Sequence, residues 1–144
     1  MDCRKTGNRI FVRIDDDEEI LSSILAACKK YDVGSAIYHG IGACSEVKLE
    51  GFENGQFVYF EKHGLLQIIS MEGNVVHNTS GELHTHCHAL FLELKDGKQS
   101  LFAGHVEKAT VSYTGEFVVE STGDVDIGMT TDPRTGTAVW SFSE

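Results

Sequence analysis

His84, His86 and His88 stand at alternate positions in GELHTHCHALFLEL, residues 81–94, and make up three of the chain's seven histidines. On a strand, alternate side chains point to one side of the sheet, so the three imidazoles share a face. That face is a core, a proton-handling surface or a metal site. Residues i and i+2 lie about 6.5 to 7 Å apart along a strand, and two such imidazoles can meet one ion at about 2.0 to 2.1 Å per nitrogen. All three span about 13 Å, too far for one ion on a straight strand. One adjacent pair plus a ligand from elsewhere is the better geometry. The best distant candidate is His105 in FAGHVE, where Gly104 gives the backbone freedom. Three nitrogen ligands suit zinc and leave an open position for catalysis or ligand capture. Glu82, Glu50 or water are the candidates for a fourth ligand. The competing reading is a row of histidines facing solvent or hydrogen-bonded at a subunit seam.

Other chemistry has less support. The spacing shows no Ser-His-Asp or Cys-His constellation, and no catalytic residue is assigned. Cys87 alternates away from its flanking histidines. GIGA, residues 40–43, lacks the third glycine and the lysine of phosphate-binding loops, and reads as a close backbone contact or a bend.

The elements that position the histidines follow from pattern. RIFVRI, residues 9–14, alternates as a strand, and DDDEE, residues 15–19, loads acids where a helix N-terminus favours them. Ile20, Leu21, Ile24, Leu25, Cys28 and Tyr31 then recur at helical spacing, Lys29 and Lys30 close the last turn, and Gly34 ends the helix. Beyond it lie strands: SAIYHGIGA, SEVKLEGF, and QFVYFEKHGLLQIISMEGNVV with a break at KHG. SLFAGHV, ATVSYTGEFVVES and TAVWSFSE follow. Val111, Tyr113, Phe117 and Val119 share one face of their strand, and STGDVDIGMTTDPRTG reads as a turn-rich loop. The class is α+β: one main helix on a largely antiparallel sheet or open barrel, in a single domain spanning 1–144.

Composition bounds the function. The 144 residues, 41% hydrophobic and 24% charged, fit one globular domain. No apolar run approaches the roughly 20 residues of a membrane-spanning helix, and the N-terminal stretch has no signal-peptide core. Four scattered cysteines without CxxC spacing point to reduced core thiols and a cytoplasmic location. The net charge of −10 argues against direct nucleic-acid binding, because such binding needs a basic patch to neutralise phosphates.

These residues carry a resemblance. VRI and DDEEI before the helix, GIGA, LLQIISMEGNV, LHTH and AGHV fall in the order and spacing of the plant-and-prokaryote-conserved (PPC) domain, most clearly over residues 8–122. The resemblance implies an α+β fold, a homotrimer, and a zinc-like metal held by His84, His86 and His105. It also brings a predicted DNA-binding label, since plants join this domain to AT-hook segments. The AT-hook core Arg-Gly-Arg-Pro is absent here. Ala103, Val106 and His88 depart from the family pattern, and Gln67 stands where a glutamate is frequent. His88 is then an extra ligand, a supporting group beside the metal or an exposed residue, with the last two preferred, and Gln67 is a second candidate supporting group.

Three function classes stand open. The first is a metal-binding homotrimer that captures or senses a small ligand at the open metal position. The second is a DNA-associated regulator acting beside another chain. The third is a metal-dependent lyase or hydrolase, by analogy with the fold of acetolactate decarboxylase.

Overall fold

The computed structural model describes residues 1–142. Strands β1 (Asp2–Thr6) and β2 (Arg9–Asp15) lead into helix α1 (Ile20–Lys30). Then come β3 (Ala36–Glu53), β4 (Gln56–His77), β5 (Leu83–Lys95), β6 (Lys98–Ser121), β7 (Ile127–Thr131) and β8 (Ala138–Phe142). Among the described residues, no helix is long and apolar enough to cross a membrane.

Alternation builds the sheet. In β2 every second residue (Ile10, Val12, Ile14) is buried, and in β5 Thr85, Cys87, Ala89 and Phe91 are. The sheet runs β1-β2-β6-β3-β4-β7-β8, and β5 pairs with both β4 and β6. Strands β3, β4, β5 and β6 therefore close an uneven ring, antiparallel at every seam. Its interior holds Cys44, Val47, Leu66, Met71, Val75, Phe91, Val106 and Val111. The architecture is the expected α+β, strand-rich with one helix.

Helix α1 begins where the acidic run ends. Glu19 is its N-cap: the carboxylate accepts from the Leu21 and Ser22 N–H groups and also from the Ala109 N–H of β6. This one side chain caps the helix and ties it to the sheet. Ile20, Ile24, Ala27 and Cys28 are buried against the core, while Leu21, Leu25 and Tyr31 pack at its margin. At the other end the left-handed residue is Asp32 (φ 54°), not Gly34, and the Val33 N–H closes the turn on the Cys28 carbonyl.

The strands are longer than their sequence punctuation suggests. KHG does not end a strand: β4 runs through Gly64, and the register slips against β3 between Cys44 and Glu46. SLFAGHV and ATVSYTGEFVVES likewise join as β6, and SAIYHGIGA with SEVKLEGF as β3. The irregularities are β-bulges, which let a strand bend without stopping. One of them overturns a facing assignment. Against two steps of β3, Gly42 to Cys44, β6 spends four, Gly115 to Val111. Tyr113, in that bulge, has φ 68° and turns to solvent, while Val111, Phe117 and Val119 face the core. The region read as a turn-rich loop contains β7, which pairs with β8. Of TAVWSFSE, Ala138–Phe142 forms β8, and the last two residues lie outside the described ones.

GIGA makes a close contact, as expected. A Cβ at Gly40 would lie 2.2 Å from Phe117 Cδ1, and one at Gly42 would lie 2.3 Å from the Thr114 carbonyl oxygen. Only glycine lets β3 lie this close to β6.

Candidate metal centre

The histidine face is built by β5 lying between β4 and β6. Thr85, Cys87 and Ala89 point into the ring, so His84, His86 and His88 point out together. Below them the strand is clamped. The Tyr38 hydroxyl is 2.8 Å from Thr85 Oγ1, which donates to the Asn74 carbonyl at 3.0 Å. A Cβ at Gly73 would strike Cys87 Cβ and the His86 carbonyl oxygen, both at 2.6 Å, so β4 approaches β5 as closely as a backbone can.

His105 arrives by register. It is the Cα partner of His88 in the β5–β6 ladder, at the end of their pairing. Ring centroids lie 4.8 Å apart for His86 and His105, 5.2 Å for His86 and His88, and 5.5 Å for His88 and His105. His86 Nε2 and His88 Nε2 are 3.2 Å apart. One ligand nitrogen from each of His86, His88 and His105 lies within 4.8 Å of the others. Nitrogens about 2.0 to 2.1 Å from one tetrahedral ion are about 3.3 to 3.4 Å from each other, so the three need only a small inward turn to hold one.

The convergent set thus differs from the expected one by a strand repeat. His86 and His105 meet, and the third imidazole is His88, not His84. The cross-strand pair sets this: His105 sits opposite His88, two positions beyond His86 and four beyond His84. His84 pairs with Val76 and lines a cleft of about 330 Å³ with His105, Glu107 and the start of α1. His88 also borders a cleft of about 480 Å³ beside Ser70, Glu72 and Gly104. Gln67 is exposed opposite Leu92, four residues and about 13 Å along β5 from His88, and takes no part in the group. Gly104 forms a regular ladder pair with Ala89, and its backbone freedom is not used.

Glu107 is the residue that spacing alone did not single out. Its Oε1 lies 3.0 Å from His105 Nε2, and it joins Glu50 and His105 in a second convergent group. The signal was present, because Glu107 follows His105 by two and so shares its face. Glu82 belongs to neither group.

The electrostatics favour the free imidazole. Burial, then the neighbouring His105, His88 and His84, holds His86 below the ordinary histidine value. A neutral ring offers a lone pair, which is what a metal ligand requires. Cys87 is buried and faces away, with its thiol pushed up to about 11 by burial. It supplies no thiolate to this face.

Comparisons with known proteins agree on the fold. A candidate DNA-binding protein from Bacteroides thetaiotaomicron is 28% identical, with a TM-score of 0.87 over 99% of this chain and 98% of its own. A PPC protein from Pyrococcus horikoshii is 27% identical, with a TM-score of 0.78 over 96% and 94%. A protein from Archaeoglobus fulgidus described as metal-containing is 24% identical, with a TM-score of 0.78 over 95% of each chain. No curated protein matches the sequence. The family model of the Plants and Prokaryotes Conserved domain matches residues 1–123, which include the whole ring and its helix, and the chain belongs to that family.

Proposed function

We propose that this PPC-domain protein binds a divalent transition ion on its histidine face and offers the ion's open position to a small ligand. The observation that carries the reading is the convergence of His86, His88 and His105 from two strands. Three imidazoles are a zinc-type donor set, and a zinc ion so held would act as a Lewis acid toward an oxygen or nitrogen ligand. The Archaeoglobus fulgidus protein is described as metal-containing, and at 24% identity it lends the fold alone. The test is elemental analysis of protein purified without an affinity tag or added metal. We expect about one zinc per chain, lost in His88→Ala and in His105→Ala and kept in His84→Ala. Loss in His84→Ala with retention in His88→Ala would restore the pair first expected from sequence. Retention in all three variants removes the reading.

A second reading, a DNA-associated regulator, rests on the Bacteroides thetaiotaomicron relative, which is described as a candidate DNA-binding protein. The comparisons support this class more than the metal one. The surface argues for an indirect role. Net charge is −10, Arg9 is paired with Glu120, and Arg13 with Asp15. In this reading another chain supplies the phosphate contacts. No electrophoretic shift of duplex DNA is expected for the chain alone at nanomolar protein and about 150 mM salt. A shift would mark Arg4, Lys5, Arg9 and Arg13 from several subunits as a composite basic patch.

A further inference from the structure

A cleft opens where β5 and β6 part. Their ladder ends at the pair His88 and His105, and beyond it β6 pairs with β3 and β2 instead. The start of α1 lies against both strands there, tied to β6 by the Glu19 carboxylate, which accepts from the Ala109 N–H at 3.2 Å. Between them lies the cleft of about 330 Å³ that His84 and His105 border. Three elements wall it: Leu21, Ser22 and Leu25 from α1, His84 from β5, and Val106 and Glu107 from β6. Leu21 and Leu25 are partly buried and Val106 fully so, which makes one side apolar.

The cleft beside His88 is built differently. Its lining residues, Leu90 and Ala103 among them, all belong to β4, β5 and β6, so one sheet supplies a floor without an opposite wall. Beside His105 a helix faces the sheet, and a small molecule is gripped from two sides. Ligand sites run from about 300 to 1,000 Å³, so this cleft takes a small one. Two carboxylates restrict its charge. Glu19 already accepts from the Leu21, Ser22 and Ala109 N–H groups, and Glu107 is bonded to His105 at 3.0 Å. They leave negative charge in the wall with few bonding positions to offer. An anion in the cleft meets repulsion from both, whereas an uncharged molecule does not.

We propose that this cleft seats the small ligand of the histidine face, and that the ligand is an uncharged molecule with one lone-pair nitrogen or oxygen and a short alkyl arm. The inference rests on the metal reading above. His105 is the link, because it belongs both to the convergent group and to the cleft wall. A molecule whose lone pair occupies the ion's open position has its remainder in the cleft, with the arm along Leu21, Leu25 and Val106. His84 lines the same cleft without joining the convergent group.

The test uses the full-length chain loaded with Co²⁺, whose visible absorption reports a ligand entering its coordination sphere. N-methylimidazole and N-butylimidazole are titrated at alkaline pH, where both rings are uncharged. Each buried methylene is worth about fourfold, so the butyl compound should bind at least about tenfold more tightly. The same ring carrying a butanoate arm should lose that gain. Ser22→Trp, at an exposed position, fills this cleft and should abolish the gain with Co²⁺ still bound. Ala103→Trp, exposed on the other cleft, should keep it. Circular dichroism checks the fold of each variant, and Leu25→Ala, which removes part of the apolar wall, should reduce the gain if Ser22→Trp misfolds. Equal binding of the two uncharged compounds, a gain kept by the butanoate arm, or a gain lost in Ala103→Trp and kept in Ser22→Trp overturns the inference and leaves the metal reading in place. A native chain that takes up no Co²⁺ removes both.

Discussion

The two ends of the long hairpins and the middle of the ring are written in the same alternating pattern, yet they meet different fates. Val47 and Leu49 on β3 are buried inside the ring, while Phe52, a few residues on, is 68% exposed. Across the turn Phe57 is 62% and Phe60 58% exposed, and on the β5–β6 hairpin so are Leu94 and Leu101. Alternation decides which side of a sheet a residue faces. Burial needs a second layer on that side, which the opposing ring strands and α1 supply only in the middle. The hairpin ends present apolar surface that another chain could cover.

The largest expected effect separates the two regions by stability. Phe91 is fully buried and stacks on Phe102 at 5.2 Å, so Phe91→Ala should cost about 3 to 5 kcal/mol in denaturant unfolding. Phe57→Ala should cost less than about 0.5 kcal/mol in a dilute monomer. Equal losses would erase the distinction.

Next comes assembly. If partners cover the hairpin ends, light scattering should give about 47 kDa, three times the 15.8 kDa chain. Phe57→Ser with Leu101→Ser should then shift the protein toward monomer. A stable native monomer across micromolar concentrations breaks this side of the comparison.

The third prediction probes the interior through its thiols. Burial pushes Cys28 and Cys87 up to about 11 and Cys44 up to about 12. The folded state therefore keeps protons that the unfolded chain releases first. Stability is fully present below about pH 8.5, the ordinary thiol value, and is lost as pH rises through 9 to 11. Thermal melts across that range should fall, and replacing Cys44 by Ala should flatten the decline. A melting temperature unchanged up to pH 11 would contradict it.

A further small effect belongs to Tyr113, exposed and left-handed in its bulge. Glycine relieves the backbone but frees the unfolded chain, so Tyr113→Gly should change stability by no more than about 1 kcal/mol in either direction. A larger loss would mean the ring makes a contact that its exposure conceals.

Much of this was legible beforehand. Helix α1 could be read from Ile20, Ile24 and Cys28 because a single periodic face needs no distant partner to be recognised. The three histidines of β5 share a face by the same local logic. Hairpin signals were also present: Asn54-Gly55 and Asp96-Gly97 both have positive φ, as two-residue turns joining twisted strands require. The internal glycines misled because Gly64 and the GIGA pair look like strand ends when they are bends within long strands. Glycine signals backbone freedom without saying whether the ladder continues.

Local chemistry, then, set which side chains face outward: their parity along the strand is a property of the chain itself. Which of them meet was decided by register between strands far apart in sequence. His105 lies seventeen residues from His88 and faces it because the β5–β6 hairpin turns at Asp96-Gly97. Glu50 faces His105 because β3 and β6 pair them, and Glu107 shares the outward side of His105 two residues on. A one-residue change in either register would choose other partners from the same outward-facing set. Parity is written in the order of the residues, whereas register is settled by the packing of the whole ring.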